Sequence, residues 1–182
     1  MKLYAAPLDF RPIADEFKVP TDFAPELHEA AASATDRYAD MRIDARSIPL
    51  VTIDPAGSKD LDQAVAIERR GDGFRVYYAI ADVAAFIEPG DVIHRESLMR
   101  GQSIYLPDEP ARLHPEELSE GSASLLADVD RPAVLWTFDL DSDGEIESVD
   151  LVRAMVHSVA RLDYDGVQAD LEAGPVSYTH LR

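Results

Sequence analysis

The chain has 182 residues, is 46% hydrophobic and carries 35 acidic residues against 17 Lys and Arg, a formal charge of −18. That length suits one domain, or one domain with an extension, able to bury a core of ordinary size. With no cysteine, disulfides, thiolate nucleophiles and cysteine-ligated zinc are excluded, so any metal must be held by oxygen or histidine ligands, which favours hard cations. No run of about 18 apolar residues is present and the start MKLYAAPLDF lacks the apolar stretch of a signal peptide, so a cytoplasmic location and no membrane partner are expected. The acidic balance is the reverse of the usual nucleic-acid binder, which needs Lys and Arg for phosphates. A carboxylate site can still reach a nucleic acid through divalent cations. Alanine is abundant and arginine outnumbers lysine, a bias that a GC-rich genome would also produce.

Residues 1–20, punctuated by Pro7, Pro12 and Pro20, read as an extended leader. Thr21 or Asp22 can cap a helix from Phe23 to about Tyr38, whose Leu27, Ala30, Ala31 and Ala34 form one face. From Ile48 the texture changes to β-type runs: PLVTI, QAVAIERR and FRVYYAIADVAAFI. The Gly-Asp-Gly between the last two marks a hairpin turn, which is a sufficient reason for Arg70-Gly71-Asp72. Asp91 can cap a helix over Val92–Arg100 that Gly101 stops, and the short strand SIYLP follows. Residues 108–130, rich in Pro, Glu and Ser, suggest single helical turns. Two long strands, AVLWTFDLD and EIESVDLVRAMV, are joined by Ser-Asp-Gly, and a last helix starts at Asp163 or Tyr164 and ends near Gly174. The expected fold is mixed α/β (α+β), a twisted and largely antiparallel sheet with surrounding helices.

Asp139, Asp141, Asp143 and Gly144, with Asp150 at the terminal position, match the spacing of an EF-hand loop. Such a loop joins two helices, whereas alternation in WTFDLD and EIESVDL demands strands. A calcium-binding β protein through 139–150 is therefore a minor alternative to an acidic hairpin.

Asp54, Asp60 and Asp62 lie in TIDPAGSKDLDQA. Pro55 and Gly57 allow a turn that returns Asp54 toward the other two, and residues two apart on extended backbone point to one side. Such carboxylates can hold divalent ions that activate a water and stabilise charge on a phosphate. Spacing alone favours three solvated loop acids in so acidic a chain.

The phrases TIDP with DLD, then IADV, YLP, LSEG with SLL, and DRPA occur in an order that resembles the first half of the RNB catalytic domain of the RNase II/RNase R family. The likeness covers about residues 48–170, and SVARLDYDGVQ resembles the family's next element. It implies a hydrolytic 3'→5' exoribonuclease that degrades single-stranded RNA to nucleoside 5'-monophosphates with Mg²⁺, Mn²⁺ being an alternative, and with no preference for DNA. By the same resemblance Asp54, Asp60 and Asp62 are the metal-binding and catalytic aspartates, with cleavage depending most on Asp62. Tyr105 would stack on a base near the RNA 3' end; without the resemblance a strand aromatic in the core is the simpler reading.

The chain departs from the pattern in three ways. Many members have a fourth aspartate where this sequence has Gln63, whose amide oxygen can ligate a metal but adds no charge. No OB-type RNA-gripping domain is present, and the family's later half, with a second stacking aromatic and a phosphate-binding arginine, has no counterpart. The expected organisation is a leader and helix over 1–47, a partial RNB domain over 48–174 and a tail over 175–182 resembling appended sequence. As it stands the fragment is expected to be a weak or inactive nuclease, with the strands near Val134 and Val152 short of neighbours. A non-catalytic RNB-like module binding RNA or a partner is the competing reading.

Overall fold

The computed structural model describes residues 8–173. In chain order the elements are α1 (Arg11–Glu16), α2 (Pro25–Ser33), β1 (Ile43–Asp44), β2 (Leu50–Asp54), β3 (Gln63–Arg70), β4 (Gly73–Ala81), α3 (Val92–Arg100), β5 (Ile104–Tyr105), β6 (Pro110–Ala111), β7 (Asp130–Leu140), β8 (Ile146–Asp163) and α4 (Tyr164–Ala173). The chain divides into two compact units, one of residues 1–34 with 87–118 and one of residues 35–86 with 119–182. No described helix is long and apolar enough to cross a membrane.

In the first unit, α2 and α3 pack together and β5 pairs with β6 in a two-residue antiparallel ribbon. The Asp91 side chain accepts the His94 amide at 2.7 Å, and Gly101 at φ 77° ends α3, as the sequence requires. Arg100 is almost fully buried; its guanidinium lies 3.6 Å from the Phe23 ring centroid and donates to the carbonyls of Pro20 and Arg112. Two expectations fail here. Residues 11–16 are helical rather than extended, with Pro12 in the first turn, where proline fits. The helix expected over 23–38 is only α2: Pro25 opens it, Ala24 offers no side-chain cap, and the backbone turns extended at Ala34.

In the second unit, β2 pairs with β3, β3 with β4, β4 with β7 and β7 with β8, all antiparallel, and β8 returns to pair with β2 in parallel. The result is a closed five-stranded ring with β1 added beside β8. The strands are largely antiparallel as expected, but closure was not foreseen. It gives β7 a partner on both edges, so the strands about Val134 and Val152 are not short of neighbours. So few strands enclose little space, and small side chains fill it. Ala81, Ala133 and Ala154 lie side by side across β4, β7 and β8, and Ala64 lies beside Ala79. All five are buried, with Leu50, Leu61, Leu125, Leu135 and Val156 completing the core.

A buried ionic network fixes residues 35–45 to this core. Arg42, 2% exposed, donates to Asp82, 3% exposed, at 2.9 Å and to both carboxylate oxygens of Asp36. Its remaining nitrogen reaches the carbonyl of Ala133 at 3.2 Å. Arg153 also donates to Asp82, at 3.2 Å, and lies 3.9 Å from the Tyr38 ring centroid. The acid of the IADV phrase is thus structural. Replacing Arg42 by Met leaves two carboxylates without their buried cation, and loss of one partner of such a pair costs about 3–5 kcal/mol. Arg42→Met is therefore expected to lower the urea unfolding free energy by about 3 kcal/mol or more, measured at neutral pH.

Candidate metal centre

Ring closure puts the ends of β2, β4 and β8 and the start of β3 at one end of the barrel. The aspartates sit there. Asp54 is the last residue of β2, paired with Asp163 at the end of β8. A turn follows in which Gly57 takes φ 91° and the Ser58 amide donates to the Pro55 carbonyl at 3.1 Å. Arg161 steadies this turn by donating to the Ser58 carbonyl at 3.0 Å.

The next four residues are anchored from two sides. Leu61 is fully buried, so its neighbours Asp60 and Asp62 are left toward the surface. The Leu61 amide donates to Ser124 Oγ at 3.0 Å, Ser124 Oγ donates to the Lys59 carbonyl at 2.6 Å, and the Leu125 amide donates to the Leu61 carbonyl at 2.9 Å. The Ala81 amide closes the loop on the Asp62 carbonyl at 2.9 Å. Sequence reasoning passed over Ser124; the signal available was the phrase SASLL, whose serine stands between apolar residues that bury themselves.

Asp54 and Asp60 are half-buried, and solvent reaches Asp62. Protein nevertheless surrounds the Asp62 carboxylate closely enough that burial is the first cause raising its pKa above the ordinary 3.8, followed by the charges of Asp60 and Asp54. Asp54 is raised likewise, by burial first and then by Asp60. Other perturbed acids go the other way: Arg42 lowers Asp36, Arg46 lowers Asp44, and Arg75 with Arg70 lowers Asp139. Among the described residues, Asp54 and Asp62 are the carboxylates raised, and the causes are burial and other carboxylates, with no cation acting on them.

Among the described residues no three acidic or histidine side chains stand close enough to enclose an ion. The aspartates therefore act on one another without forming a finished cage. The donor chemistry still fits Mg²⁺, which keeps several waters and needs only one or two carboxylates besides phosphate oxygens. Carboxyls raised by the charge of neighbouring carboxylates, as Asp54 and Asp62 are, are groups a divalent cation would relieve.

Gln63 begins β3 and is exposed, and its Oε1 accepts the Tyr78 hydroxyl. It lines a small cleft of about 110 Å³ with Val51, Ile53, Val65 and Tyr78, where β2 and β3 splay apart after the single pair Val51 and Val65. The Tyr78 hydroxyl uses one of the two lone pairs of that oxygen and fixes the direction of the other. Tyr105, on β5 of the other unit, is 70% exposed, which corrects the reading of it as a core aromatic. Asp139–Asp150 spans the β7–β8 hairpin, with the Asp141 carboxylate bonded to the amides of Asp143 and Glu145 and the Asp139 carboxylate held by Arg75 and Ser148. An EF-hand needs helices on both sides and free carboxylates, so calcium binding there is set aside. The appended tail expected at 175–182 lies outside the described residues.

A model of the RNB domain matches residues 42–180. Ribonuclease R of Vibrio parahaemolyticus is 39% identical over 132 residues, covering 72% of this chain and 16% of that protein. The structure of Mycoplasma genitalium RNase R in complex with double-stranded RNA superposes with a TM-score of 0.85 at 28% identity, over 91% of this chain and 30% of that one. Yeast Ssd1, a pseudonuclease, shares the fold with a TM-score of 0.70 at 17% identity, over 81% of this chain and 18% of that one. The chain thus spans well under half the length of these relatives.

The raised carboxylates fix a pH dependence. A carboxyl whose folded pKa lies above its unfolded value costs stability once ionised, and the cost disappears as pH falls through the raised value toward 3.8. Asp62→Asn, measured without divalent metal, is expected to raise the thermal midpoint at pH 7, and the gain should shrink as pH falls through that window. Thermal melts of both proteins from pH 7 to pH 4 check this; a lower midpoint for the variant at pH 7 would show that the Asp62 charge supports the fold.

Proposed function

The chain belongs to the RNB-domain family, and we propose that it supplies the metal-binding part of a hydrolytic exoribonuclease acting 3'→5' on single-stranded RNA. The observation that carries this reading is the pair of carboxylates at one end of a closed barrel, Asp54 and Asp62, both raised by burial and by the charge of Asp60. Asp36, Asp44 and Asp139 are lowered by arginines, whereas burial and neighbouring carboxylates raise Asp54 and Asp62.

In the proposed reaction Asp54, Asp60 and Asp62 hold Mg²⁺, or Mn²⁺ in its place. When bound, the ion lowers the pKa of a water and offsets charge on the scissile phosphate. The carboxylates orient the water for attack on phosphorus; the bond to the leaving 3'-oxygen breaks and a nucleoside 5'-monophosphate departs. Tyr105 is an exposed aromatic of the kind on which an RNA base stacks without regard to sequence. Phosphate positioning and charge stabilisation supply much of the rate in phosphoryl transfer, and residues for this beyond the carboxylates would come from other parts of a longer protein.

A second reading, an RNB-like module that binds RNA without cleaving it, draws on Gln63. Its side chain is neutral and its oxygen is engaged by Tyr78, so one carboxylate present in many members of the family is missing here.

The deciding experiment follows mononucleotide release from end-labelled single-stranded RNA with Mg²⁺, using the 182-residue chain and the same chain continued through its native reading frame. The continued protein is expected to release 5'-monophosphates, and Asp62→Asn in it to lower kcat by at least about a hundredfold while RNA affinity changes little, because the substitution removes metal activation and leaves stacking in place. RNA binding with no metal-stimulated release by the continued protein would favour the non-cleaving module. Equal turnover by both lengths would show that the carboxylate end is sufficient.

A further inference from the structure

We propose that Ser124 is a positioning residue for the metal-binding aspartates, acting through the backbone of residues 59–61 without touching the ion. The proposal rests on the metal reading given above. Ser124 is 1% exposed, and its single hydroxyl serves as donor and acceptor at once, to the Lys59 carbonyl at 2.6 Å and from the Leu61 amide at 3.0 Å. Those two groups flank one residue, Asp60. Fixing them sets the direction in which Asp60 leaves the backbone, and Leu61, fully buried, passes the constraint to Asp62.

The serine is itself held in place. Arg131 Nε donates to its carbonyl at 2.9 Å, its amide donates to the Gly121 carbonyl at 3.2 Å, and the Leu125 amide adds a bond to the Leu61 carbonyl. The segment from Pro55 to Asp62 lies outside the strand ladder, so no regular pairing fixes it. Two metal-binding aspartates lie in this segment, Asp60 and Asp62, directly after Asp54 and its turn. The Ser124 hydroxyl ties this unpaired segment to the core on both sides of Asp60. Phrases far apart in sequence, DLD and SASLL, thereby become one device. Groups that orient metal ligands in this indirect way typically alter affinity 10–100-fold when removed.

The test measures Mn²⁺ binding to the 182-residue chain by the loss of the free-ion electron paramagnetic resonance signal, alongside thermal midpoints. Ser124→Ala is expected to weaken Mn²⁺ binding by about tenfold or more. Leu135→Ala, which leaves a cavity in the barrel core away from the loop, should lower the midpoint at least as far and keep the wild-type affinity. If Ser124→Ala does not fold, Ser124→Cys keeps the shape while weakening both hydrogen bonds, and the same loss of affinity is expected. Wild-type affinity in the serine variant, with binding still abolished by Asp62→Asn, would overturn the positioning role alone. Wild-type affinity in Asp62→Asn would place the ion elsewhere, and the metal reading would fall together with this proposal.

Discussion

The parallel pairing of β2 with β8 is the constraint from which the rest of the second unit follows. The other four pairings of the ring join strands in opposite directions, two of them through short hairpin turns, and could form an open sheet. Pairing Thr52–Asp54 with Arg161–Asp163 closes that sheet, and in doing so it decides which ends of the strands meet. Parallel partners must come from well-separated parts of a chain, here residues about a hundred apart. That separation is what lets a turn after β2, a strand start at β3 and a helix start after β8 share one end of a barrel. The carboxylates are gathered by topology before any side-chain interaction acts on them.

With so many acids, the chain needs some means of making a few of them special. It does so by distributing its arginines. Arg42, Arg46 and Arg75 each take a carboxylate that would otherwise repel its surroundings, and Arg42 is buried to do it. Asp54 and Asp62 go the other way, raised by burial and by neighbouring carboxylates. An excess of negative charge is thus no bar to binding a phosphodiester, provided that the uncompensated part is concentrated where a cation can enter between protein and phosphate.

Local features were legible in the sequence because short-range physics decides them. The Asp91 cap, the Gly101 stop and the turns at Gly71 and Gly144 all follow from residues within a few positions of one another. The strand character of residues 133–141 and 145–156 was equally visible, and it disposed of the calcium-loop spacing at Asp139, while the run of β8 on to Asp163 was not. Long-range features were not legible. Nothing near Ser124 in the sequence says that its hydroxyl will meet Lys59 and Leu61, and nothing near Ile80-Ala81-Asp82-Val83 says that its acid will be buried against Arg42. The short first helix was missed because Pro12 reads as a breaker unless its position in the first turn is known. The aspartates were visible as a motif, but the degree to which they converge depends on ring closure and could not be read from spacing.

The alanine lining of the barrel has a consequence at the level of codons. A bias toward alanine invites an explanation from base composition, and some surface alanines need no other. Ala81, Ala133 and Ala154 are different, because three adjacent strands present them to the same narrow interior and larger side chains there must push strands apart. Every alanine codon becomes a valine codon by one transition at its second base and a threonine codon by one at its first. The commonest single-base changes at these positions would therefore enlarge the side chain, and threonine would also bury a hydroxyl. A drift in genomic base content could erode alanine on the surface of this protein while leaving the barrel's alanines in place.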